Sequence, residues 1–229
     1  MRPVITIPHR LFRHTSFAWS IDWRNQTSGD FNDGVTGTSF GGFPRWIGSP
    51  GVFMHREDLR RWRAVRNTAR GRIGIYRVRI VDSVGFLPSE TVTQPLWLRQ
   101  GKPSLEGNLT QDGNGWLYEP FALAAAPALR GATEIRLDMA SVNGLAPKQG
   151  QIMSHQDWPF VVTWVRAVGG TIYRCGVEMP LRADIKPGAP VLMQGVGRFE
   201  ATESGMGLDE YEGSAFSRFK LQFTEVLAR

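Results

Sequence analysis

The sequence predicts a mainly β protein with one α-helix, and three observations carry that expectation. Glycine (26 of 229 residues) and proline (14) break the chain into short segments rich in β-branched and aromatic residues, the composition of strands joined by turns. Strict two-residue alternation recurs, as where Phe17, Trp19 and Ile21 alternate with Ala18, Ser20 and Asp22. One segment alone repeats its apolar residues every three or four positions, as a half-buried helix does.

Val4, Ile5 and Ile7 and then Phe17 to Ile21 read as one or two strands across residues 3–23. From Gln26 to Gly42 the chain is Gly, Thr, Ser, Asn and Asp, with turn signals at Asp33-Gly34 and Gly41-Gly42, which predicts a long surface loop or hairpin. Ordered structure restarts at Phe43–Ile47. The helix is expected over 55–69, where Leu59, Trp62, Val65 and Ala69 form the buried stripe. Glu57 and Asp58 in its first turn and Arg66 and Arg70 near its last suit the helix dipole, and Gly71 follows as a stop. Ile73 to Val81 reads as a strand with Tyr76, Val78 and Ile80 on one face and Arg77 and Arg79 on the other.

Residues 82–115 are weakly patterned, with Pro88, Pro95 and Pro103, and read as a linker with short strands. Strand signals return at Ile135/Leu137/Met139, Phe160–Val168 and Thr171–Met179, the last two flanking a Gly169-Gly170 hairpin turn. Val191–Met193 and Arg198–Ala201 are short strands. Phe216–Leu227 is one half-buried closing strand, since Phe219, Leu221 and Phe223 alternate with Lys220, Gln222 and Thr224. No hairpin partner precedes it, so it pairs with a distant sheet, expected to be the N-terminal one.

Charge is uneven along the chain. Residues 1–99 hold 15 Arg and no Lys against seven acids, while residues 100–229 hold 12 basic residues against 14 acids. Arginine suits fixed, bidentate or stacked contacts, so Arg45, Arg60, Arg63, Arg70, Arg77 and Arg79 are the candidate subunit-contact residues. No run approaches about 18 apolar residues, so no membrane span is expected. The first residues, charged at Arg2 and again at His9-Arg10, are not expected to form a signal peptide.

Chemistry-bearing constellations are not apparent. The lone Cys175 allows no internal disulfide, and the four histidines lack metal-ligand spacing. His155, although close in sequence to Asp157, reads as a solvated loop histidine. No nucleophile elbow, P-loop or dinucleotide-binding glycine motif is present. Asp112-Gly113-Asn114-Gly115 lacks the ligands of a calcium loop and reads as a turn. The expectation is a protein that is not an enzyme, with no metal, no cofactor and no catalytic residue.

Several segments taken in order resemble one family. A Trp19 or Trp23 strand is followed by a Thr/Ser/Gly-rich loop and an Arg45-Trp46 strand. The helix ending Trp62-Arg63-Ala64-Val65-Arg66 then leads through Arg70-Gly71-Arg72 into Ile73-Gly74-Ile75-Tyr76. Gln149-Gly150-Gln151-Ile152-Met153-Ser154, the Phe160–Trp164 strand and Glu178-Met179-Pro180-Leu181-Arg182-Ala183-Asp184 follow, and Phe219–Leu227 closes the chain. This order resembles the distal tail proteins of long-tailed bacteriophages, over most of the chain except 83–130. The resemblance implies a β-sandwich or barrel ring domain from residues 1–99 plus 201–229, closed by the C-terminal strand, with a small β-barrel or sandwich inserted as residues 100–200. It implies a structural virion component, a hexameric ring at the tail tip or baseplate, assembled in the host cytoplasm. The ring would join the tail tube protein to the tip hub protein, with the tape measure protein and tail fibres as further neighbours.

Two other readings stand beside it. The inserted module could be a carbohydrate-binding unit contacting host glycan through Trp116, Tyr118 and Trp158, with Trp164 nearby, because flat indole faces suit pyranose rings. The segment His55–Arg79, with nine Arg against two acids, raises nucleic-acid binding, although Leu59 and Trp62 turn that helix into a core element.

Overall fold

The computed structural model describes residues 2–12, 16–30, 36–40, 44–82, 85, 120–142, 144–207 and 216–228, of which 9, 10, 25–30 and 36–40 are described by backbone alone. Among them the protein is mainly β with a single α-helix. The strands are β1 (Val4–Thr6), β2 (Trp19–Asp22), β3 (Asn25–Asp30), β4 (Thr36–Phe40), β5 (Arg45–Gly48) and β6 (Gly51–His55), followed by α1 (Arg56–Ala69) and β7 (Ile75–Arg79). Next come β8 (Phe121–Ala124), β9 (Glu134–Asp138), β10 (Ile152–His155), β11 (Trp158–Gly169), β12 (Ile172–Glu178), β13 (Pro190–Leu192), β14 (Val196–Ala201), β15 (Phe216–Lys220) and β16 (Phe223–Glu225). The chain divides into two compact units, one of Met1–Ile5, His14–Tyr76 and Phe199–Arg229, the other of Thr6–Arg13 and Arg77–Arg198. A six-stranded sheet is ordered β1-β7-β14-β16-β5-β2.

The first unit is built on aromatic packing. The Trp19 ring lies 4.8 Å from Phe199 and 6.0 Å from Phe223, Phe223 lies 5.8 Å from Tyr76, and Tyr76 lies 6.4 Å from Trp62. Such large rings remove the most apolar area per residue from water. Helix α1 enters this core through Leu59, Trp62 and Ala69, with Trp62 fully buried. The Trp62 indole N–H donates to the Gly207 carbonyl at 2.9 Å, so its polar edge is also satisfied. The helix ends on Arg70 in the left-handed conformation (φ 53°), and the Gly71 N–H closes back on the Arg66 carbonyl at 3.2 Å. The left-handed stop thus begins one residue before the expected glycine.

The closing segment is two strands rather than one. β15 pairs with β6, placing Phe219 opposite Val52. β16 pairs with both β5 and β14, with Phe223 opposite Gly48 and Ala201. Between them Leu221 is buried and its N–H donates to the Pro50 carbonyl at 3.0 Å. The alternation expected across 216–227 survives at Leu221 and Phe223, while the chain changes sheets beneath it. Two of the three partner strands, β5 and β6, lie in the N-terminal half, as the missing hairpin partner implied, and the third, β14, lies upstream in the C-terminal half. The Gly- and Thr-rich stretch after Asn25 is a hairpin, β3 paired with β4; its Asp33-Gly34 turn and the Gly41-Gly42 signal lie outside the described residues, as do the Asp112–Gly115 turn and all of the linker 82–115 except residues 82 and 85.

In the second unit β10-β11-β12-β9-β8-β13 close into a barrel. Its interior is Ala122, Ala124, Ile135, Leu137, Met153, Phe160, Val162, Cys175, Val177 and Val191, the inward alternate positions of each strand. Gly169 and Gly170 turn β11 into β12 with φ of 156° and 55°, the position the sequence marks. β10 is joined to β11 by Gln156-Asp157, both left-handed (φ 50° and 63°), the two-residue turn whose twist matches a hairpin. β6 and β8 escape the sequence reading. β6 runs directly into α1 without punctuation, and the small Ala122 and Ala124 of β8 carry little strand signal.

Candidate subunit-contact surface

On α1 the burial of Leu59, Trp62 and Ala69 forces a definite opposite face. Arg56, Arg60, Arg63, Asn67 and Arg70 recur at alternating steps of four and three, and all five are exposed. The periodicity that sends the apolar residues inward lines these up along the outside. Like charges three or four residues apart disfavour an isolated helix by a few tenths of a kcal/mol per pair. The core contacts of the buried stripe offset that cost. Arg66 is turned away from the row, donating to the Gly207 carbonyl at 3.0 Å. Arg60, Arg63 and Arg70 therefore sit together on a cationic stripe, as their spacing suggests.

The other candidate arginines are placed differently. Arg45 on β5 is half-exposed and pairs with Asp22 of the adjacent β2 at 3.3 Å. Arg79 is buried, and its guanidinium donates to the Gln194 side-chain carbonyl at 3.2 Å. Arg77 donates through Nε to Asp157 Oδ1 at 2.8 Å, and Arg198 donates through Nε to Asp157 Oδ2 at 2.9 Å. One carboxylate, 8% exposed, thus clasps two arginines. Arg77 and Arg79 spend their guanidinium groups within their own unit. Nothing in the sequence singles out Asp157, because the clasp joins residues 41 and 80 positions away.

His155 corrects the sequence expectation. It is buried at the end of β10, 7% exposed, with Nδ1 2.9 Å from the Pro190 carbonyl. The Gln156-Asp157 turn is only two residues long, so His155 belongs to the strand and not to a loop. Trp116 and Tyr118 lie outside the described residues. Trp158 is half-buried, with the Arg182 guanidinium 5.4 Å over its ring. Trp164 on β11 is 37% exposed. Elsewhere in the first unit a groove of about 850 Å³ is lined by Ser16, Gly51, Phe53, His55, Arg218 and Lys220.

Reactive groups are held quiet. Burial in the barrel interior pushes the Cys175 thiol up to about 12, which keeps it protonated and non-nucleophilic at neutral pH. Desolvation also raises the Tyr76 phenol, against the opposing pull of Arg66. Asp138 is held low, first by the Thr171 hydroxyl and then by the Ala140 N–H. Among the described residues no three His, Cys, Asp or Glu side chains converge as a metal site would require, and no helix is long and apolar enough to cross a membrane. No protein-family model matches the chain, and no curated protein matches it.

Proposed function

We propose that this chain is a non-catalytic structural component of a phage tail tip, a distal tail protein that assembles into a hexameric ring between the tail tube protein and the tip hub. The observation that carries the reading is the exposed row Arg56-Arg60-Arg63 on α1, with exposed Arg70 at its C-terminal cap. An acidic surface on a neighbouring subunit would meet this exposed cationic face and fix its orientation. The chain layout and the ordered resemblance support the same reading: β1 and β16 share one sheet, and the barrel strands fall between β7 and β14. In this reading Arg60, Arg63 and Arg70 are interface residues, and Arg45, Arg77 and Arg79 stabilise the subunit itself.

Native mass spectrometry and negative-stain imaging, with and without tail-tube and hub proteins, test the proposal. The expected result is a six-fold ring that Arg60→Glu/Arg63→Glu abolishes while the melting temperature stays within a few degrees of wild type. A protein that remains monomeric with both neighbours present overturns it.

A further inference from the structure

The outer face of the barrel carries an arrangement that the tail-ring reading does not use and does not require. In the pairing of β11, β12 and β9, Arg166 stands directly opposite Arg174, and Arg174 directly opposite Arg136. Directly paired residues point to the same side of a sheet, and the adjoining positions Val165, Cys175 and Ile135 point inward. Three guanidinium groups therefore lie in a row across three strands on the outside, with Arg136 and Arg166 exposed at its ends, on the order of 10 Å apart at the backbone. Like charges placed directly opposite disfavour strand pairing, so the row carries a standing electrostatic cost.

One step along the same face, Trp164 is paired with Gly176. A Cβ at Gly176 would lie 2.1 Å from the Trp164 Nε1 and 2.5 Å from Cδ1 and Cε2. The indole thus lies across the glycine, held against the sheet, and 37% of the residue stays open to solvent. The Arg174 guanidinium stands 5.7 Å from the centre of that ring and also pairs with Glu134. Arg174 is thereby fixed by a ring and a carboxylate, whereas Arg136 and Arg166 have no carboxylate partner among the described residues.

Carboxylates are interspersed on this face. Glu134 and Asp138 flank Arg136 on β9, and Glu178 lies two residues from Gly176 on β12. A phosphodiester chain, charged at every residue, would meet these acids as well as the arginines. A polyhydroxylated anion meets both favourably, because its carboxylate accepts from arginine and its hydroxyls donate to Glu and Asp. The part of the Trp164 indole that stays exposed beside Arg174 provides the apolar surface for a pyranose ring. We propose that the outer face formed by Trp164, Arg166, Arg174 and Arg136 is a binding site for an acidic sugar, a uronic or sialic acid residue within a glycan.

Isothermal titration calorimetry on the full chain tests this with tetragalacturonate and sialyllactose as probes. Fully methyl-esterified tetragalacturonate serves as the neutral control and an oligothymidylate as the competing polyanion. Saturable binding of at least one acidic sugar is expected, with Arg166→Glu and Arg136→Glu each weakening it about tenfold or more. Both substitutions lie on exposed side chains, so unchanged melting is expected to accompany the loss. Trp164→Ala should weaken binding by a similar factor. The proposal is overturned if neither acidic sugar binds at millimolar concentration, if the ester binds as well as the acid, if the arginine variants bind like wild type, or if the oligothymidylate binds more tightly than both sugars.

Discussion

Trp62 and Cys175 illustrate two ways a single side chain constrains this protein. Trp62 fills the junction between α1 and the strands, with Tyr76 and Phe219 rings 6.4 and 6.2 Å away and its N–H on the Gly207 carbonyl. Trp62→Ala is expected to cost about 3–5 kcal/mol, as large-to-small core changes do. Trp62→Phe should cost less, because it keeps most of the apolar volume and the Gly207 carbonyl retains Arg66 as a donor. Urea denaturation of the two variants checks this ordering. For Cys175, Ellman's reagent should leave the native thiol unmodified at pH 8 and titrate it fully in denaturant. The sign of its pH dependence follows from its raised folded value. Between the ordinary thiol value of 9.0 and about 12, the unfolded chain loses the proton and the folded chain keeps it. Wild type should therefore lose stability relative to Cys175→Ala as pH rises through this window, by about 1.4 kcal/mol per unit at most. Below the ordinary value the difference should be independent of pH.

At the scale of elements, the Asp157 clasp binds the turn between β10 and β11 to Arg77 of β7 and Arg198 of β14. The carboxylate side chain is 11% exposed and the arginines 29% and 35%, so neither the full value of a buried ion pair nor that of a surface pair applies. Asp157→Ala is expected to cost about 2–3 kcal/mol, between those limits. It also places a Cβ-bearing residue without a turn-forming side chain at φ 63°. Asp157→Asn tolerates that conformation and should cost less. Arg77→Met and Arg198→Met should each cost less than Asp157→Ala, because the carboxylate keeps one partner. A double-mutant cycle on the two arginines should be non-additive, since they share one acceptor. Additive losses would show that each arginine acts alone.

For the molecule as a whole, the closing segment is the decisive test. Deleting 216–229 removes β15 from β6 and removes β16 from between β5 and β14. Three strands would then present unpaired edges, and Phe199, Trp19 and Tyr76 would lose the Phe223 ring packed among them. Exposed edges beside an uncovered apolar face favour aggregation. The truncated chain is therefore expected to aggregate and to form no ring. Size-exclusion chromatography showing a soluble truncated protein with wild-type assembly would count against this role.

The sequence by itself determined the β class, the single helix and its two faces. It also marked the Gly169-Gly170 hairpin turn and the distant partnering of the C-terminal strands. Each of these rests on local periodicity or on a residue that only one backbone conformation suits, and such signals survive without knowledge of neighbours. Tertiary structure alone decided the rest. The alternation across 216–227 reports a buried face but not the change of sheet at Leu221, because burial is satisfied equally by either partner. The burial of His155 depends on a two-residue turn built from Gln156-Asp157, neither of them glycine. The Asp157 clasp and the Arg166-Arg174-Arg136 row exist only through strand register. Register is set by pairings between segments far apart in the chain, so no short window of sequence contains it.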